Sequence, residues 1–268
     1  VPEPNDVLLL DDIGRVRLLT LNRPDKANAF NEQLYQAAAT ALRESEADDS
    51  VSVVVFTGAG RVYSGGVDIA EMAAVIPDEH VDEGAHARPD RGGVGRGFDA
   101  FVNGLAEFPK PVVAAVNGAA VGIGFTMLLH CDLVLVSDDA RLRAPFTRMG
   151  VAPEASSSYL LPRRMGRQAA AWAFFTADWI APTQAVEYGL ALKVCEPGTL
   201  VKDAVELATQ IAEHPLPSLM ATKRLAIDAE QAGIARAREL EGQAFAALLR
   251  LPGASGRVAA QLDKGDPR

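Results

Sequence analysis

Apolar and polar positions alternate and cluster along the chain in a way that predicts strands and helices in turn. Residues 7–10 and 15–21 are short β-rich runs separated by Asp11, Asp12, Ile13 and Gly14, which reads as a hairpin with its turn at 11–14. A turn-rich loop, NRPDKAN, occupies 22–28. Asn31 then supplies an N-cap for a helix running to Glu44, whose Leu34, Ala38, Ala41 and Leu42 recur at helical spacing. The uninterrupted apolar run 51–56 predicts a buried strand that ends at Thr57-Gly58-Ala59-Gly60. Further on, the pattern predicts a helix over 98–108, a strand over 111–116, a Gly/Ala-rich turn over 117–124 leading into a helix up to His130, and a strand over 132–136. From Glu154 onward the chain reads mostly as helix, punctuated at Pro162, Gly166, Pro182, Pro197, Pro215 and Pro252. Twice a buried strand runs into a Gly turn, at 51–60 and at 111–124. That faint repeat suggests a layered or spiral α/β core built from strand–turn–helix units.

One segment stands apart. Residues 77–97 read PDEHVDEGAHARPDRGGVGRG, polar and Gly-rich without sustained period, and predict a long loop or flap of a length that is often functional. Its GGVGRG follows no strand and lacks the spacing of a phosphate loop. His80 and His86 within it have no HExxH or CxxC beside them to suggest a metal site. Elsewhere no GxSxG elbow occurs, and Ser156, Ser157 and Ser158 have no neighbouring His, which argues against a serine hydrolase.

Composition narrows the partners. Lys and Arg total 26 against 35 Asp and Glu, a formal charge of −9, which disfavours nucleic acid or a polybasic membrane anchor as partner. Cys131 and Cys195 lie in apolar runs and read as buried free thiols, suited to a reducing compartment. The first residues have no basic segment of a signal peptide, and no apolar run has the length of a membrane helix. A cytoplasmic protein with no membrane association is the expectation.

Two Gly-rich turns carry the chemistry. Tyr63-Ser64-Gly65-Gly66-Val67-Asp68-Ile69 and Asn117-Gly118-Ala119-Ala120-Val121-Gly122-Ile123-Gly124 each join a strand to a helix. Glycine there lets backbone approach a ligand, and helix starts leave N–H groups unpaired, so two such donors could converge on one oxygen as an oxyanion hole.

The order LTLNRPDKANAF, GAGRVYSGGVDIAEM, KPVVAAVNGAAVGIGF and APEASSSYLLPRRMG resembles the crotonase (enoyl-CoA hydratase/isomerase) family over nearly the whole chain. The resemblance implies an α/β fold, a spiral of ββα turns over residues 1–198, with a helical region over 199–268 that packs into homotrimers or hexamers. It implies an acyl-CoA thioester as substrate in fatty-acid metabolism, with no further cofactor and no metal. By motif, the thioester oxygen is expected between the N–H groups of Gly65 and Ile123. Lys26, Ala27, Gly66, Val67, Asp68, Ile69 and Gly122 match segments that line the coenzyme A and acyl site, Lys26 being alternatively a solvated loop lysine. Family hydratases carry two glutamates that orient and deprotonate water; here those positions hold Thr126 and Phe146. Glu154, in Pro-Glu-Ala-Ser-Ser-Ser, instead resembles the single base of peroxisomal-type Δ3,Δ2-enoyl-CoA isomerases, with an apolar setting expected from Phe146, Met149 and Val151. The expected function is therefore enoyl-CoA isomerase with Glu154 as catalytic base. A hydratase or other lyase of the family, and a non-catalytic acyl-CoA-binding protein, are the alternatives.

Overall fold

The computed structural model describes residues 6–75 and 95–253, together with Gly256. The loop expected over 77–97 falls almost wholly outside these residues, as do His80 and His86.

Among the described residues a six-stranded sheet forms the centre, its strands following one another across it in chain order. β1 (Leu8–Ile13) and β2 (Val16–Leu21) are the expected hairpin, antiparallel and in register Leu8 to Leu21. The turn is tighter than expected, however. Asp11 to Ile13 continue the strand, and Gly14, at φ +60°, with Arg15 makes the reversal. β3 (Val53–Gly58), β4 (Val112–Val116), β6 (Leu133–Ser137) and β8 (Lys193–Cys195) then add in parallel. Parallel strands buried on both faces read as continuous apolar runs, which is why VVVF and VVAAV show no alternation.

Alternate residues of these strands face two different cores. Val54, Phe56, Val112, Ala114, Val116, Val134 and Val136 join the main core, which α1 (Glu32–Ala47) and α3 (Arg96–Glu107) cover. Val53, Val55, Val113, Ala115 and Leu135 face α8 (Leu200–Ala212), whose Leu200, Ala204, Ala208 and Ala212 line up at four-residue spacing. Small alanines there let the helix lie close to the sheet. Asn31 caps α1 as expected, its side chain accepting from the Leu34 N–H at 3.0 Å.

The remaining elements shape the site. α2 (Ile69–Val75) follows the first Gly turn. The second turn contains a three-residue strand, β5 (Ala119–Val121), which pairs in parallel with β7 (Arg141–Arg143), and leads into the single turn α4 (Ile123–Thr126) and a 3-10 turn to His130. α5 (Phe146–Met149), α6 (Ser157–Thr176) and α7 (Pro182–Glu187) follow; α6 is broken at Gly166, at φ +76°, beyond Pro162. α9 (Leu216–Leu249) is the longest helix described, 34 residues or about 50 Å. Its Ile234 and Phe245 are buried in the main core rather than set apart from it. Lys223, near its start, is buried in an ion pair with Asp132 at 2.7 Å and also donates to the Lys110 carbonyl. No helix among the described residues is long and apolar enough to cross a membrane.

Candidate active site

The two Gly turns pack backbone against backbone. Ser64 forms a parallel bridge with Ala120; its N–H donates to the Ala119 carbonyl at 3.0 Å, and its carbonyl accepts from Val121 at 2.9 Å. Gly66, at φ +99°, lies so close to the second turn that a Cβ there would stand 2.9 Å from the Val121 carbonyl oxygen. Gly124 is held against Ser64 in the same way, a Cβ meeting the Ser64 carbonyl oxygen at 2.7 Å. Glycine is required by proximity at both positions.

This packing decides which N–H groups are free. The Gly65 N–H, expected as an oxyanion donor, donates to the Ala27 carbonyl at 2.8 Å, and the Gly66 N–H donates to Ser64 Oγ at 3.2 Å. Gly65 is therefore corrected: its donor is consumed by the fold. Phe30 bridges Val67 by donating to the Gly66 carbonyl and accepting from the Asp68 N–H, which leaves the intervening Val67 N–H pointing to the other side. That N–H has no acceptor among the described residues. Ile123, the first residue of α4, is likewise free, whereas the Gly122 N–H donates to the Arg143 carbonyl at 3.2 Å. The two free donors thus directly follow the two glycines in contact, Gly66 and Gly122.

Neighbouring expected residues take distinct parts. Lys26 is exposed on a 3-10 turn, and Ala27, at φ +50°, offers its carbonyl to Gly65. Asp68 is tied to Arg23 at 3.0 Å, and Ile69 starts α2. Sequence reasoning passed over Asn28. Its buried side chain donates to the Ala59 and Val62 carbonyls and accepts from the Arg23 N–H, which fixes the loop to the strand end after β3.

Glu154 stands in the connection between α5 and α6. Phe146, Met149, Val151 and Ala152 around it in the chain are all buried. Glu154 itself keeps partial access to solvent, so a ligand can reach it. Burial pushes its carboxyl up to about 8, and the negative charge of Glu241 adds to the shift. A carboxylate so placed is a stronger base than an exposed one. Tyr35 of α1 also senses the Glu154 charge, and its buried hydroxyl has no hydrogen-bond partner.

Thr126 and Phe146, at the positions where hydratases are expected to carry glutamates, are both buried. The Thr126 hydroxyl has no partner. Thr126→Val keeps the shape and removes an unsatisfied polar group, so it is expected to stabilise the fold by about 1 kcal/mol. Thermal unfolding would read this as a rise of about 2–4 °C.

A fold of this topology with two apposed Gly turns defines a class. Residues 13–251 match the enoyl-CoA hydratase/isomerase family, and the chain belongs to that family of acyl-CoA enzymes. It is 35% identical to the 1,2-epoxyphenylacetyl-CoA isomerase of Escherichia coli over 80% of this chain and 79% of that one. It is 33% identical to enoyl-CoA delta isomerase 2 of Rattus norvegicus over 90% of this chain, spanning 62% of that longer protein. Among solved structures, enoyl-CoA hydratase EchA8_6 from Mycobacterium marinum is 45% identical with a TM-score of 0.73, covering 83% of this chain and all of that one.

Proposed function

We propose that the protein is a Δ3,Δ2-enoyl-CoA isomerase in which Glu154 is the single acid–base group. The observation that carries this reading is a reachable, desolvated carboxylate with its pKa raised to about 8, at a site whose two hydratase positions hold Thr126 and Phe146.

The thioester carbonyl oxygen lies between the N–H groups of Val67 and Ile123. Glu154 takes a proton from C2, and the C2–H electron pair moves toward C1 and onto the oxygen. The resulting dienolate is stabilised by the two backbone donors, an effect that amounts in such sites to about 3–4 kcal/mol per donor. The protonated Glu154 then delivers the proton to C4, the carbonyl re-forms, and the double bond is left between C2 and C3. No water enters, so one carboxylate serves both steps. Ile123 narrows the acyl pocket beside its own donor. Lys26, Ala27 and the turn through Ile69 are the proposed contacts of the coenzyme A portion, and assembly into trimers or hexamers belongs to the same proposal.

A second reading is hydration, favoured by the 45% identity to a protein described as a hydratase. A paired assay on 3-hexenoyl-CoA and 2-hexenoyl-CoA separates the two. Isomerisation of the first outrunning hydration of the second, and disappearing in Glu154→Gln, is the expected result. Hydration that dominates and survives the substitution would overturn it.

A further inference from the structure

The turn that presents Glu154 is unusual in its backbone. Ala155 and Ser156 both adopt the left-handed region, at φ +54° and +59°, although neither is glycine. Such residues persist only where the surroundings hold them. Here three groups do so. The neutral His130 ring, its pKa pushed down to about 4 by burial, donates from Nε2 to the Ala155 carbonyl at 2.8 Å. The Ser156 hydroxyl donates to the Ile234 carbonyl of α9 at 3.1 Å. Glu241, also of α9, accepts the Ser156 N–H on Oε2 and the Ser158 N–H on Oε1, both at 2.8 Å.

The approach of α9 is built for this. Gly233 receives the ring of Tyr159, the third residue of α6, in space that any side chain would fill. Ile234, Ala237, Glu241 and Phe245 are the buried stripe of α9 in this stretch, so Glu241 is a carboxylate on an otherwise apolar face. A buried carboxylate is retained at a cost, and its two oxygens are spent on the backbone that follows the base.

We propose that Glu241 is a positioning residue for Glu154, clamping the 154–158 turn through two backbone N–H groups and holding a second negative charge beside the base. The inference rests on the reading of Glu154 as base. From α9 the charge of Glu241 acts on Glu154, and the charge of Glu154 acts in turn on the Tyr35 hydroxyl of α1. Glu241 is itself faced by Arg238 one turn earlier, whose guanidinium pairs with Asp99 of α3 at 3.1 Å. Burial holds the Glu241 carboxyl above the usual carboxylate range, and the Ser158 and Ser156 donors and Arg238 offset part of that by favouring its ionised form. Its charge in turn opposes ionisation of Glu154, keeping the base strong.

The test is kcat against pH for 3-hexenoyl-CoA isomerisation in the full chain, comparing Glu241→Gln, Glu241→Asp and Glu154→Gln. Glutamine removes the charge and one acceptor. The acid limb of the profile is then expected to move down by about 0.5–1 pH unit. Plateau kcat is expected to fall about 10–100-fold because the base is less well placed, with KM changed less than about twofold. Aspartate keeps the charge with a shorter reach, so its acid limb should stay with the parent while kcat falls. A Gln profile superimposable on the parent, or an Asp limb moved as far as the Gln limb, overturns the inference even where Glu154→Gln is inactive. Full activity in Glu154→Gln overturns both readings together. Should the Gln variant fail to fold, the Asp variant decides: reduced kcat with an unmoved limb supports the clamp, and a parent-like kcat removes it.

Discussion

Glu154→Gln is expected to lower kcat for isomerisation by about 10³–10⁴-fold while leaving acyl-CoA binding nearly intact, because in the proposed mechanism one group performs both proton transfers. Glutamine has nearly the same shape and accepts hydrogen bonds but cannot accept the C2 proton at neutral pH. Steady-state kinetics combined with direct titration of a substrate analogue would separate the two effects. In the parent, the base must be ionised, so kcat should rise with pH to a plateau above about 8. The stability consequence has the opposite sign. A carboxyl whose folded pKa is raised from 4.5 to about 8 binds its proton more tightly in the folded state. Stability therefore declines as pH rises between those values, and the decline is complete above the upper one. The Gln variant lacks this penalty and should melt at a higher temperature than the parent at pH 9, inactive but more stable.

Gly66→Ala is the second change with a large expected effect. A Cβ there meets the Val121 carbonyl oxygen at 2.9 Å, and φ +99° is a conformation that L-residues rarely adopt. Backbone strain and overpacking together predict a loss of roughly 2–6 kcal/mol. The turns must also separate, which moves the Val67 donor away from Ile123. Chemical denaturation should show the stability loss. Any folded fraction should show a fall in kcat of about 10²-fold or more, the effect of losing one oxyanion donor. Alanine at the exposed Gly256 beyond α9, by contrast with these packed glycines, has no atom within 4 Å to meet and is expected to be neutral.

Local pattern carried much of this architecture. The hairpin, the capped helix α1, the buried parallel strands and the helical last third follow from apolar spacing and capping residues. Strand limits were less legible. The run beginning at Val51 enters the sheet only at Val53, because that is where β2 offers its partner Val16. The three-residue strands β5 and β7 are too short to show a period; they exist because the second turn lies beside residues 141–143. Glu154 is proposed as base from its motif and its burial together. The free N–H at Val67 was not legible, since Gly65 and Val67 differ only in what Ala27 and Phe30 do from more than thirty residues away. Glu241 left one readable trace, an acid in the stripe Ile234, Ala237, Phe245, but its purpose depends on a turn in another part of the chain.

The clamp joins Ser156 to a carboxylate 85 residues further along. During synthesis, the strands, the two Gly turns and Glu154 itself all leave the ribosome well before α9 is complete. A nascent chain halted before Ile234 would hold the sheet and the free N–H groups of Val67 and Ile123, yet its left-handed pair at Ala155 and Ser156 would lack two of the three groups that secure it. On the proposed mechanism, catalytic competence would then be among the last properties this polypeptide acquires as it folds, and a protein shortened within α9 ahead of Ile234 would be expected to bind acyl-CoA without turning it over.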